Sequence, residues 1–192
     1  MLVLVLGLIL FLGIHSIRIV ADDARAQLIA RIGPMPYKGL YALLSIIGFV
    51  LIVWGFGQAR QHPVLIYLPP LWLHHLNGLF VLVALIFFFS TYVPGNHFRS
   101  TFGHPQALSA GIWSFGHLLV AGMLHDLVLF VPFLLWSIVL YTTSRRRDRR
   151  NGTVYRAGTV MGDVIAVAIG VLVWVLFAFW LHTQLIGVNP LA

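Results

Sequence analysis

Long apolar stretches alternate with short polar, glycine- and proline-rich segments along the 192-residue chain. A helix needs about 20 mostly apolar residues to cross a bilayer. On that basis the pattern predicts membrane helices over residues 2–20, 39–58, 72–93, 107–122, 126–143 and 159–183. The breakers fall between them: Gly33-Pro34-Met35-Pro36, His62-Pro63, Pro69-Pro70, Pro94-Gly95-Asn96 and Asn151-Gly152. Pro132 alone interrupts a span, where a membrane helix tolerates it. The stretch 107–143 is too long for one crossing at about 1.5 Å per residue. It is therefore divided at Gly122-Met123-Leu124-His125-Asp126 as a tight hairpin. With no internal repeat and no low-complexity segment, the expectation is all-α: one polytopic transmembrane bundle of about six helices, a single domain over 1–192.

Composition supports that class. The chain is 60% hydrophobic and 9% charged, against about 25% charged in soluble domains. Its formal net charge of +7 is read through its distribution. Arg18, Arg25, Arg31, Lys38, Arg99, Arg145, Arg146, Arg147, Arg149, Arg150 and Arg156 follow the first, third and fifth predicted helices, and only Arg60 lies on the other side. This is a positive-inside bias; it places both termini on the non-cytoplasmic side and argues against nucleic acid as the partner. The first apolar run has no basic segment before it, so it reads as a retained membrane helix rather than a leader. The chain has no cysteine, which excludes disulfides and thiolate metal ligation.

Topology sorts the nine histidines. His62, His74, His75, His125 and His182 fall near the outer loops and helix ends, where solvent-accessible interfacial residues are expected. His97 and His104 belong to the loop after the third helix. His15 and His117 alone lie near the middle of a span, at depths differing by about 10 Å. Ionisable groups at that depth are costly and mark a functional site by default. Two imidazoles on different helices suit a flat porphyrin clasped from both faces. Phe11, Trp113 and Phe115 surround them, and Gly13, Ser16, Ser114 and Gly116 leave room for a bulky plane. Arg18 is a candidate partner for a haem propionate. The alternative is structural: each histidine hydrogen-bonds within the bundle and binds nothing.

The remaining signals are weaker. His74 and His75 point about 100° apart on a helix, and no HExxH spacing occurs. Pro105 after His104 has an ordinary role at a helix start. Asp163 is a candidate proton-handling group, or a partner of neighbouring backbone or Arg156. The run Arg145–Arg150 reads as a topology anchor at anionic lipid. Gly158, Gly162, Ala166 and Gly170 form a stripe suited to close helix packing. No phosphate-cradling loop and no catalytic triad motif is present.

An ordered series of motifs adds a resemblance. Gly7-Leu8-x-Leu10-Phe11-Leu12-Gly13-Ile14-His15-Ser16-x-Arg18 resembles the opening of the NnrU family. Tyr37-Lys38-Gly39-Leu40-Tyr41, Val53-Trp54-Gly55-Phe56-Gly57-Gln58-Ala59-Arg60, Pro69-Pro70-Leu71-Trp72, Tyr92-Val93-Pro94-Gly95-Asn96 and His104-Pro105-Gln106 through Trp113-x-x-x-His117 continue it. The resemblance implies a multi-pass protein of the bacterial inner membrane, associated with nitrite and nitric oxide reduction in denitrification. The family is similar to the 15-cis-ζ-carotene isomerases, haem b enzymes whose axial histidines lie in a His-Ser motif and a Trp-Cys-x-x-His motif. Carried over, these match His15 and His117. The isomerases' cysteine is Ser114 here, so exchange of an axial histidine for a thiolate is not open to this chain.

The expected function is therefore that of a haem b-binding inner-membrane protein with a redox, nitric-oxide-related or maturation role. The alternatives are haem-dependent cis–trans isomerisation of a polyene and a non-catalytic assembly factor without haem. The implied partners are the lipid bilayer, haem, and denitrification reductases or a hydrophobic polyene.

Overall fold

Each predicted span forms a helix in the computed structural model, which describes residues 1–191. The helices are α1 (Leu2–Val20), α2 (Asp22–Ile32), α3 (Pro34–Ala59), α4 (Leu71–Ser90), α5 (His97–Phe102), α6 (Pro105–Leu119), α7 (Leu124–Arg150) and α8 (Val160–Leu176). A π-helical turn over Phe177–Leu181 leads into α9 (His182–Ile186). Five stretches are long and apolar enough to cross a membrane: Leu2–Val20, Pro34–Ala59, Leu71–Ser90, Leu124–Arg150 and Val160–Ile186. Large apolar side chains such as Ile46, Val50, Val53 and Trp54 of α3 are exposed. A contiguous apolar surface of this kind suits lipid rather than water.

Several boundaries differ from the pattern-based expectation; α4 ends at Ser90 rather than 93, and the span expected over 159–183 runs to Ile186 through a π-helical turn. Residues 22–32, expected as loop, form α2: Asp22 and Asp23 sit in its first turn and Arg31 in its last, each complementing the helix dipole. Pro34 does not separate elements but starts α3 from its first turn, where its missing N–H costs no hydrogen bond. α6 has 15 residues, about 22 Å of rise, and falls short of the roughly 30 Å hydrocarbon core. α7 runs to Arg150 instead of ending near 143, because arginine is a good helix former even where hydropathy has fallen.

The chain divides into two compact units. The first comprises Met1–Ile66 with Met123–Pro132. Its centre is α1 packed on α3, and glycine sets how closely they approach. A Cβ at Gly7 would lie 2.6 Å from the Ile52 nitrogen, one at Gly48 2.9 Å from the Phe11 nitrogen, and one at Gly55 2.6 Å from Leu4 Cα. Leu4 is completely buried there. Without a hydrophobic drive between helices in lipid, this close van der Waals contact supplies the association. Leu65 and Met123 form an isolated antiparallel bridge, and the Leu124 N–H donates to Val64 O at 2.9 Å.

The second unit comprises Tyr67–Gly122 with Phe133 onward. α4 packs against both α6 and α8. The small-residue stripe provides the α8 contact: Gly170 lies against Ile86 and Gly162 against the Gly95 carbonyl, while Ala166 is fully buried. Polar contacts fix the register. Trp174 Nε1 donates to Gly78 O at 2.8 Å, and Ser109 Oγ donates to Ala84 O at 2.7 Å. Buried Asn96 closes the loop after α4: Nδ2 donates to Ser90 O and Val93 O, and Oδ1 accepts the Arg99 N–H as the cap of α5.

Candidate functional site

α1 positions His15 in the first unit. Nδ1 of His15 lies 2.7 Å from the Phe11 carbonyl, four residues earlier on the same helix. A carbonyl only accepts, so Nδ1 carries the proton and Nε2 keeps its lone pair. Phe11 stacks obliquely on the imidazole at 4.3 Å between centroids, and Tyr41 of α3 meets it edge-on at 5.3 Å. Tyr41 is followed by Tyr37 at 6.3 Å, over which Arg25 lies. Ser16 donates to Leu12 O at 2.7 Å. A Cβ at Gly13 would meet nothing within 4 Å, but Gly13 stands about 200° around the helix from His15, so that open face is not the one that carries the imidazole. Arg18 is exposed, one turn past His15.

α6 positions His117 in the second unit by the same device. Its Nδ1 lies 2.9 Å from Trp113 O, again four residues back. The Trp113 ring stands 4.9 Å from the imidazole and makes an edge contact with Phe133 of α7 at 5.7 Å. Gly116 lets α4 approach: a Cβ there would lie 2.7 Å from both Asn77 Oδ1 and Phe80 Cβ. Ser114 is completely buried, and its Oγ donates to Ala110 O at 2.7 Å. That hydroxyl is committed to its own helix.

The shared geometry has chemical content. A metal-ligating histidine typically donates its second ring N–H to a carbonyl or carboxylate, which fixes the tautomer and raises the basicity of the other nitrogen. Both imidazoles meet that condition within their own helix. Among the described residues no three His, Cys, Asp or Glu side chains converge as a metal site. Haem asks less of the protein, since the porphyrin supplies four ligands and the chain only axial groups. Two neutral imidazoles of this tautomer are a suitable donor set.

The other histidines are distributed differently. His97 and Asp163 pair in the second unit: Nδ1 lies 2.6 Å from Oδ2, and the His97 backbone N–H donates to Oδ1 at 2.7 Å. Asp163 thus ties α8 to the start of α5, rather than bonding Arg156. His104, at the cap of α6, places Nε2 2.6 Å from Asp148 Oδ2 near the end of α7. Tyr155 also donates its hydroxyl to Asp148, and Arg145 lies over the Tyr155 ring at 5.9 Å. No local pattern announces this cluster, since His104 and Asp148 are 44 residues apart. His125 is buried, edge-on to Phe56 at 5.1 Å and 3.4 Å from Asp126. It is not the solvent-accessible interfacial residue expected. His74 is half-buried and His75 exposed, while His182 Nδ1 donates to Val188 O at 2.7 Å.

Burial, and then the Asp148 carboxylate, push the Tyr155 phenol above its ordinary value, with Arg145 opposing. Removing the negative charge should bring it down again. In Asp148→Asn the phenol is expected to ionise at lower pH than in the parent. The change is read from ultraviolet absorption difference spectra, with Tyr155→Phe identifying the signal. An unchanged midpoint would mean that the carboxylate does not govern this tyrosine.

Five helices long and apolar enough to cross a bilayer, with exposed apolar faces, define a multi-pass helical membrane protein. The chain matches the NnrU protein family over residues 3–190. It belongs to that family, and the match runs through both units. Comparison with curated proteins and with solved structures found no significant match.

Proposed function

We propose that the protein binds haem b, with His15 and His117 as axial ligands and Arg18 as a propionate partner, and serves a redox or nitric-oxide-related role linked to denitrification. The observation that carries this reading is the common tautomer: both imidazoles give Nδ1–H to a carbonyl four residues back and so present Nε2 as a base. Bound haem would supply one-electron iron chemistry in a low-dielectric setting. The chain's own residues hold the imidazoles in orientation. Phe11 and Tyr41 restrain the His15 ring, and Trp113 with Phe133 restrains His117. Arg18 stands one turn away at the helix end, suited to a carboxylate.

The buried Ser114 hydroxyl favours this over polyene isomerisation. It is bonded to Ala110 O and lacks the thiolate that could replace a departing imidazole. Purified from cells supplied with haem precursor, the protein is expected to carry a Soret band that shifts on reduction with dithionite. Protein that is folded, yet lacks that band even after haem is added, would refute the proposal. Deletion of the gene is expected to slow nitrite or nitric oxide removal under oxygen limitation. Normal removal rates would refute the denitrification role while leaving haem binding standing.

A further inference from the structure

The second unit carries a groove of about 300 Å³ among α4, α6 and α7, distinct from the histidine environments. Phe80, Ala107, Gly111, Ile138, Tyr141 and Thr142 line it. Small residues of α6 bring α7 close along its floor: a Cβ at Gly111 would lie 2.7 Å from Ser137 Oγ on α7. The groove is mostly apolar and has two hydroxyls at the end toward the α7 C-terminus: Tyr141, and Thr142, which donates to Ile138 O at 2.8 Å and so offers a ligand only its oxygen as acceptor.

The last turns of α7 give the groove a polarity. Arg146 and Arg149 come four and seven residues after Thr142, so they continue the same helical face. Both are exposed. Asp148, the one carboxylate within this basic run, is already engaged by His104 and Tyr155 and does not neutralise them. α7 has 27 residues, about 40 Å of rise against a hydrocarbon core of roughly 30 Å. Its arginine end therefore extends to the headgroup level while the groove lies at acyl depth. An apolar channel, then hydroxyls, then two exposed guanidinium groups match a molecule with a hydrocarbon chain, a glycerol-type polar junction and an anionic phosphate. Guanidinium binds phosphate bidentately.

We infer that this groove is a specific site for an anionic phospholipid, one acyl chain lying against Ala107 and Gly111 and the phosphate held by Arg146 and Arg149. The test is native mass spectrometry of the full chain in detergent, with phosphatidylglycerol and phosphatidylcholine of identical chains. The parent is expected to retain phosphatidylglycerol preferentially. Arg146→Gln with Arg149→Gln should cut that preference by roughly 25-fold, about 5-fold for each surface arginine. These exposed substitutions leave the packing untouched. Leu108 of α6 also lines the groove, and Leu108→Trp, which fills it, should weaken both lipids in protein whose helical circular dichroism is unchanged. Equal retention of the two lipids by the parent would overturn the inference, as would a preference that survives the double substitution. Binding unaffected by Leu108→Trp, or full displacement of the lipid by glycerol 3-phosphate, would also overturn it, since either means a headgroup site without a chain groove.

Discussion

Gly55→Ala is expected to be among the most disruptive single-methyl substitutions in the chain. The added Cβ would stand 2.6 Å from Leu4 Cα and closer still to the Leu4 nitrogen. These are backbone atoms of α1, so no side-chain rotation relieves the overlap; the α1–α3 pair must separate. Separation also frees Leu4 from complete burial and loosens Gly48 and Gly7 along the same seam. Overpacking ordinarily costs about 1–3 kcal/mol, and a rigid backbone clash should reach or exceed the upper end of that range. Gly57→Ala is the internal control: in the same helix its Cβ would meet nothing within 4 Å. There the better helix propensity of alanine should stabilise by up to about 1 kcal/mol. Detergent unfolding of the two variants beside the parent reads the contrast. Similar midpoints for all three would show that the α1–α3 seam does not limit stability.

The same seam explains what the sequence could and could not disclose. The apolar run of α1 matches its predicted bounds because burial in lipid and helix formation coincide there. They part company in α2 and in the last two turns of α7. Asp22–Ile32 and Arg145–Arg150 are too polar for the hydrocarbon yet form good helix, with charges placed to suit their ends. Hydropathy marks where lipid stops, not where hydrogen bonding stops. The length of α6 is close to the expected 107–122, whereas the pairing of Val64 and Leu65 with Met123 and Leu124 is a contact between distant parts of the chain that no local pattern encodes.

The candidate site divides along the same line. His15 and His117 stand out because an ionisable residue is conspicuous in an apolar run. Their Nδ1 partners are also within reach of the sequence, since the carbonyl four residues back is always a neighbour on a helix. By contrast, His97 with Asp163 and His104 with Asp148 and Tyr155 are assembled by tertiary packing. Those polar residues read singly as loop and helix-end decoration. They carry definite partners only after α5, α7 and α8 are in place.

His15→Ala and His117→Ala should then have the largest effect on the proposed cofactor. Either substitution removes one axial nitrogen while leaving the other imidazole braced by its own helix, through Phe11 O or Trp113 O. Each variant is expected to lose the bis-imidazole spectrum: a displaced Soret band, weakened α and β bands on reduction, and lower haem retention through purification. Replacing a group that merely braces a metal ligand commonly costs about 10- to 100-fold in affinity, and loss of a ligand itself should meet or exceed that. Added imidazole distinguishes a vacant coordination position from a collapsed fold. It should restore the parent-like bands where the helix bundle is intact, whereas a misfolded variant cannot be rescued. The conservative control is Ser114→Ala, which removes a hydroxyl already bonded to Ala110 O and should leave the bands in place. Spectra unchanged in both histidine variants would eliminate His15 and His117 as ligands. A change in only one would leave a single-histidine centre, whose free axial face suits diatomic binding better than electron transfer.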